Sequence, residues 1–177
     1  MSHAIVAGTF VSRELCRQIV AEIERDGCWQ WGEINYGGRS HVDLQFRRTQ
    51  WCAVPPACED LVAGRLLAIG RALAPAFGPV RSFEGPNMLR YRPGDFFRPH
   101  ADENPRERVN RRKATITVFL NDRGFEGGVL RLYESRGGRT LEIVPRAGRF
   151  VAFDPEIMHE VTPIGRGNRY ALVAWLH

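Results

Sequence analysis

The run Ala114-Thr-Ile-Thr-Val-Phe-Leu-Asn121 decides the fold class. Its β-branched and aromatic residues suit a pleated, half-buried surface and crowd the turns of a helix, so the stretch predicts a strand. Outward from it, similar short runs recur at Asn87–Arg92, Asp95–Arg98, Gly128–Glu134, Thr140–Val144, Arg149–Phe153, Met158–Val161 and Arg169–Leu176. Turn signals separate them: Pro93-Gly94, Gly127-Gly128, Gly137-Gly138 and Gly165-Arg-Gly-Asn168. About eight strands following helices predict an α+β chain, mainly β, built around a β-barrel or jelly roll.

The first half reads differently. Ser12 stands as an N-cap before Leu15, Cys16, Ile19, Val20 and Ile23, an apolar stripe at helical spacing that stops at Asp26-Gly27. After Pro55-Pro56 a second stripe of Leu61, Val62, Leu66, Ile69 and Leu73 predicts another helix, ended by Pro75 and Gly78. Both helices need a sheet to pack on. Between them Gly32 to Gln50 is long and polar and carries Tyr36 and His41, which fits either a mobile lid or a surface excursion with short strands. The expected organisation is one domain over 1–177, with a helical support region at 1–81 and the β core at 82–177.

With 44% hydrophobic and 25% charged residues in 177, the chain has the composition of a folded globular protein. No apolar run approaches the roughly 20 residues a membrane-spanning helix needs, and the first residues lack a secretory pattern, so a cytoplasmic setting is expected. Four cysteines without a CxxC spacing predict free thiols. The net charge is +5, and Lys113 is the single lysine among 25 basic residues. The charges are interleaved with acidic residues, which favours solvated surface over a nucleic-acid footprint.

The chemistry rests on four positions. His100 and Asp102 are two residues apart, so in extended backbone both side chains point the same way and can share one metal ion. His159 follows 57 residues after Asp102 in another predicted strand, completing the two-imidazole, one-carboxylate donor set that leaves positions open on non-haem Fe(II). Arg169 stands ten residues after His159, across the turn at Gly165–Asn168, so the two strands are expected to form a hairpin with both side chains on one cavity. A buried arginine there requires an anion, and its planar fork suits a carboxylate.

In order and spacing these residues resemble the Fe(II)- and 2-oxoglutarate-dependent dioxygenases, most nearly the prolyl 4-hydroxylase-like branch. The resemblance is carried by Leu89-Arg-Tyr-Arg-Pro-Gly-Asp-Phe-Phe-Arg-Pro-His-Ala-Asp102, by Thr115 to Asn121 with Glu126-Gly-Gly128, and by Arg169-Tyr through Trp175-Leu-His177. It implies a double-stranded β-helix, cupin-like, with the N-terminal helices on its major sheet. It further implies iron held by His100, Asp102 and His159, and 2-oxoglutarate with its C5 carboxylate on Arg169. By motif position it implies Tyr91 and Thr115 as hydrogen-bond donors to the cosubstrate, and Trp175 as a pocket wall near the substrate. Arg98, with Arg92, Arg108, Arg111 and Arg112, is read either as solvated loop charge, which the pattern favours, or as an arginine-rich rim for an acidic peptide.

The activity implied is hydroxylation of an unactivated C–H of an amino-acid side chain, peptidyl, protein or free, with O2 consumed and succinate and CO2 released. Ascorbate is a candidate addition. Two departures stand out: Phe97 and Phe119 occupy positions where relatives carry tyrosine, and each loses a hydroxyl. The competing readings are a nucleic-acid dealkylating oxygenase, disfavoured because Trp175 occupies the place of that branch's second arginine, and a non-catalytic jelly-roll metal-binding or sensor protein. His41, Glu126 and His177 carry weaker signals, and Glu103–Lys113 is a second candidate lid.

Overall fold

The computed structural model describes residues 4–36, 39–102, 112–133 and 138–177. In chain order the first half comprises β1 (Ile5–Thr9), α1 (Arg13–Asp26), β2 (Gln30–Trp31), β3 (Ile34–Tyr36), β4 (Arg39–His41), β5 (Arg47–Arg48), β6 (Gln50–Ala53) and α2 (Glu59–Phe77). The second half comprises β7 (Phe83–Tyr91), β8 (Phe96–His100), β9 (Ala114–Phe119), β10 (Phe125–Gly127), β11 (Leu130–Tyr133) and β12 (Thr140–Ile143). It closes with β13 (Arg149–Phe153), β14 (Met158–Val161), β15 (Ile164–Gly167) and β16 (Arg169–Leu176).

Two sheets face each other. The major sheet has the order β1-β13-β9-β16-β7-β6-β2, the minor sheet β12-β11-β14-β8-β5, and two short ribbons, β10-β15 and β3-β4, complete the set. This is the double-stranded β-helix expected from the sequence, with both helices on the outer face of the major sheet. The period-2 alternation of β16 builds both layers at once. Tyr170, Leu172, Ala174 and Leu176 join Ile19, Ile23, Leu66 and Leu73 in the helix-facing core, while Arg169, Ala171, Val173 and Trp175 line the cleft between the sheets. Burying a leucine such as Leu66, fully enclosed here, contributes about 1.5–3 kcal/mol.

The first helix begins as expected, with the Ser12 hydroxyl accepting from the Leu15 N–H at 3.2 Å. The second ends at Phe77, at the expected Pro75–Gly78 stop, with Pro75 in its last turn. The φ of 79° at Gly78 and its N–H to the Ala74 carbonyl (2.8 Å) close it. Among the described residues of Gly32–Gln50, β3, β4 and β5 are short strands and Gln50 opens β6; β5 pairs with β8. The candidate lid at Glu103–Lys113 lies mostly outside the described residues, at 103–111.

The expected hairpin between the strands of His159 and Arg169 is not formed. The β14 strand pairs with β11 and β8 in the minor sheet, β16 pairs with β7 and β9 in the major sheet, and β15 intervenes, paired with β10. His159 and Arg169 thus approach one cleft from opposite walls.

Candidate active site

His100 ends β8 and lies opposite His159 of β14 in the strand register. A register shift in this pair lets Phe97 and His100, three residues apart, both line the cleft. Asp102 sits just past the strand, its N–H bonded to the Pro155 carbonyl at 2.9 Å. Its two carboxylate oxygens divide between the imidazoles: Oδ1 is 3.7 Å from His100 Nε2, and Oδ2 is 3.6 Å from His159 Nε2. One ligand atom from each of the three residues falls within 4.8 Å of the others.

The tautomers follow from the partners. Nδ1 of His100 lies 2.8 Å from the Arg98 carbonyl and Nδ1 of His159 lies 2.9 Å from the Ile157 carbonyl. A carbonyl only accepts, so each Nδ1 carries the proton and each Nε2 lone pair is left for a metal. Thr115 Oγ1 donates to Asp102 Oδ2 at 2.7 Å, fixing the carboxylate plane. Burial, followed by the neighbouring His159, pushes the His100 imidazole well below its usual range and keeps it neutral. Burial also opposes the charge on Asp102, but His159, His100 and the Thr115 hydroxyl outweigh it and hold the carboxyl low. Two imidazoles and a carboxylate are the donor set of a divalent-metal site.

Arg169 supplies the second element. It is 1% exposed, packed near the rings of Tyr91 (5.1 Å) and Phe119 (5.6 Å), and its Nε and Nη2 have no hydrogen-bond partner among the described residues. These two N–H groups form the side-on fork of the guanidinium, the edge that takes a carboxylate bidentately. Burial pushes its pKa down, partly offset by Tyr91, yet guanidinium remains charged in proteins. A buried cation with an open fork facing a cleft fits an anion such as a dicarboxylate's far end. Gly128 makes room for it: a Cβ there would come 2.7 Å from Arg169 Cδ, at a φ of +65°.

The cleft holds about 1520 Å³ and brings together His100, Asp102, His159, Arg169, Tyr91 and Trp175. Tyr91 is buried and sits opposite Arg169 in the register; Trp175 sits opposite Thr115. Thr115 acts here as a partner of Asp102 rather than as a lining residue. The indole Nε1 of Trp175 is buried without a well-formed hydrogen bond, though it lies near enough to Asp102 to help hold that carboxyl low. Arg98 stands apart from the cleft lining: its Nε donates to the Gln45 carbonyl at 2.6 Å and its guanidinium rests on Phe96.

His41 lines the cleft, Glu126 pairs on the surface with Arg166 (2.7 Å), and His177 meets Glu84 at 3.3 Å. Of the rim arginines, Arg108 and Arg111 lie outside the described residues. Arg112 grips Glu84 with its fork, covers Trp175 at 4.1 Å and donates to the Asp102 carbonyl at 2.8 Å.

Sequence reasoning missed Thr117, which lines the cleft beside the singled-out Thr115, and Arg47. The alternation of β9 carries a signal for Thr117, since 115, 117 and 119 share a face. Nothing in the sequence marks Arg47.

Two imidazoles and a carboxylate between the sheets of a double-stranded β-helix, with a buried arginine across from them, define the class of mononuclear non-haem metal oxygenases. Residues 86–177 match the model of the 2OG-Fe(II) oxygenase superfamily. The chain belongs to that superfamily, whose members use Fe(II), 2-oxoglutarate and O2. It is 33% identical over 105 residues to a PKHD-type hydroxylase of Synechococcus sp. (strain CC9605), a match covering 59% of this chain and 46% of that protein. The chain therefore spans about half the length of that relative.

Among solved structures it is similar to a Pseudomonas putida prolyl-4-hydroxylase, with a TM-score of 0.76 and 25% identity over 99% of this chain and 92% of that one. A Trichoplax adhaerens prolyl hydroxylase in complex with a hypoxia-inducible-factor degradation-domain peptide shares the fold, with a TM-score of 0.81 and 19% identity over 99% of this chain and 83% of that one. Among the described residues, no helix is long and apolar enough to cross a membrane.

Proposed function

We propose that the chain is a prolyl hydroxylase-like oxygenase that hydroxylates an unactivated C–H of an amino-acid side chain, peptidyl, protein or free, and converts 2-oxoglutarate to succinate and CO2. The observation that carries the reading is the open side-on fork of Arg169 facing the same cleft as the His100–Asp102–His159 triad. In this reading His100, Asp102 and His159 hold Fe(II), and the bound iron supplies O2 activation.

The protein's own groups do the rest. Arg169 clamps the C5 carboxylate of 2-oxoglutarate, so the keto-acid end is aimed at the triad. Tyr91, beside Arg169, supports the cosubstrate, while Thr115 holds the Asp102 carboxylate in plane through its 2.7 Å bond. Trp175, pinned under Arg112, forms the wall against which the substrate side chain lies. The β3-β4 ribbon closes over a bound substrate and excludes water. Ascorbate belongs to the proposal as an addition that keeps the enzyme turning over, and residues 1–177 act as one oxygenase unit.

The similarity to prolyl hydroxylases favours a peptide or prolyl-type substrate. The test is incubation of the chain with Fe(II), 2-oxoglutarate, O2 and a peptide library, scored by mass spectrometry for gain of one oxygen atom. The reading expects oxygen gain on a side chain, absent in His100→Ala. Oxidation confined to nucleobase alkyl groups, or none with any amino-acid substrate, would overturn it.

A further inference from the structure

A second arginine lines the same cleft with the same guanidinium edge unpaired among the described residues. Arg47 lies on β5, opposite Phe97 in the register, and lines the cleft from the minor-sheet side, whereas Arg169 lies on the major sheet. Its guanidinium packs close to Gly32, where a Cβ would run into Nε, Cζ (2.7 Å) and Nη2 (3.0 Å), and its Cζ lies 4.8 Å from the centroid of Phe97. Phe97 in turn stacks on the metal-site imidazole of His100 at 3.6 Å. Both contacts explain residues that otherwise look like losses: glycine at 32 leaves room for the guanidinium, and phenylalanine at 97 gives it a ring face.

The edges of the guanidinium are used unequally. Nη1 donates to the Glu33 carbonyl at 2.7 Å, which fixes the group's orientation. Nε is shut off from solvent with no partner, and Nη2 makes no hydrogen bond among the described residues. The unused edge is again the Nε–Nη2 fork. The charged groups nearest to it leave that edge unused: Asp102 belongs to the triad, and Glu33 offers its backbone carbonyl to Nη1. A carboxylate matches the geometry of the fork.

We infer that Arg47 is a specificity-determining residue that binds a carboxylate of the substrate, next to the triad and separate from the cosubstrate clamp at Arg169. This rests on the oxygenase reading above and adds the substrate's chemistry to it: the molecule hydroxylated carries an anionic carboxylate close to the reacting C–H. That group is either the α-carboxylate of a free amino acid or the terminal carboxylate of a peptide.

The test is calorimetric titration, without O2, of the chain loaded with Fe(II) and saturating 2-oxoglutarate. The probes are L-proline, N-acetyl-L-proline and its neutral twin N-acetyl-L-prolinamide. The expected result is that one of the acids binds about tenfold or more tightly than the amide. That preference collapses in Arg47→Met, survives in part in Arg47→Lys, and leaves 2-oxoglutarate affinity unchanged in both. L-Proline as the better ligand assigns a free amino acid; N-acetyl-L-proline assigns a chain terminus. No preference for either acid in the loaded wild type, or a preference that Arg47→Met retains, overturns the inference while leaving the oxygenase reading standing. Failure of 2-oxoglutarate to load at all removes that reading and this inference with it.

Discussion

Replacing Arg169 by Met separates a cosubstrate clamp from a structural arginine, because the two roles change stability in opposite directions. Met keeps most of the side chain's apolar volume and removes a cation that is 1% exposed with Nε and Nη2 unpartnered. A buried charge without a counter-ion is a cost to the empty protein, so the variant without ligand should melt at or above the wild-type temperature. With ligand the order reverses. At 2-oxoglutarate one hundred times its Kd, the wild type gains about 2.7 kcal/mol, which for a chain of this size is a shift of about 5–11 °C.

Losing a buried charge-assisted fork costs about 2–5 kcal/mol in binding, so at the same concentration the variant keeps at most about 0.9 kcal/mol, or about 2–4 °C. The assay is a thermal melt of each protein with the divalent ion, with and without 2-oxoglutarate. A variant that retains the full ligand shift, or one that falls in the unliganded melt like a core truncation, would refute the clamp.

Further substitutions test the supports. Thr115→Val removes the 2.7 Å hydrogen bond to Asp102 Oδ2 and should weaken metal affinity about 10–100-fold, measured by competition with a chelator, at little cost to the melt. Gly128→Ala places a methyl 2.7 Å from Arg169 Cδ at a φ of +65°; it should raise the KM for 2-oxoglutarate more than it lowers metal affinity, and equal loss of both would place the damage elsewhere. Leu66→Ala, in the fully enclosed helix-facing core, should cost about 2–5 kcal/mol in denaturant unfolding while leaving the metal dissociation constant unchanged.

The legible parts of the molecule were those whose signal is local. The run Arg169–Leu176 announced a strand, and the structure divides its faces between the helix-side core and the cleft. His100, Asp102 and His159 were picked out by spacing and donor chemistry together with the family resemblance, and the fold brings them within reach of one ion. What escaped depended on partners far along the chain. The β1 strand, Ile5–Thr9, is short and has sheet neighbours only in β13, so no local period betrays it. The hairpin expected between His159 and Arg169 was wrong because a turn signal does not say which sheet the next strand joins; β15 breaks away to pair with β10.

Arg47 was invisible among 24 arginines, since its burial comes from Gly32 and Phe97, fifteen and fifty residues away in sequence.

The central claim is that the triad and Arg169 make one oxygenase site. The measurement that meets it most directly is succinate formation by anaerobically purified protein given Fe(II), 2-oxoglutarate and then O2, run beside His100→Ala and Arg169→Met. The account predicts slow succinate release even without substrate, dependent on both Fe(II) and O2, abolished in His100→Ala and requiring far more 2-oxoglutarate in Arg169→Met. Binding of Fe(II) with no uptake of 2-oxoglutarate and no succinate would contradict it, and would leave a metal-binding jelly roll in place of an oxygenase.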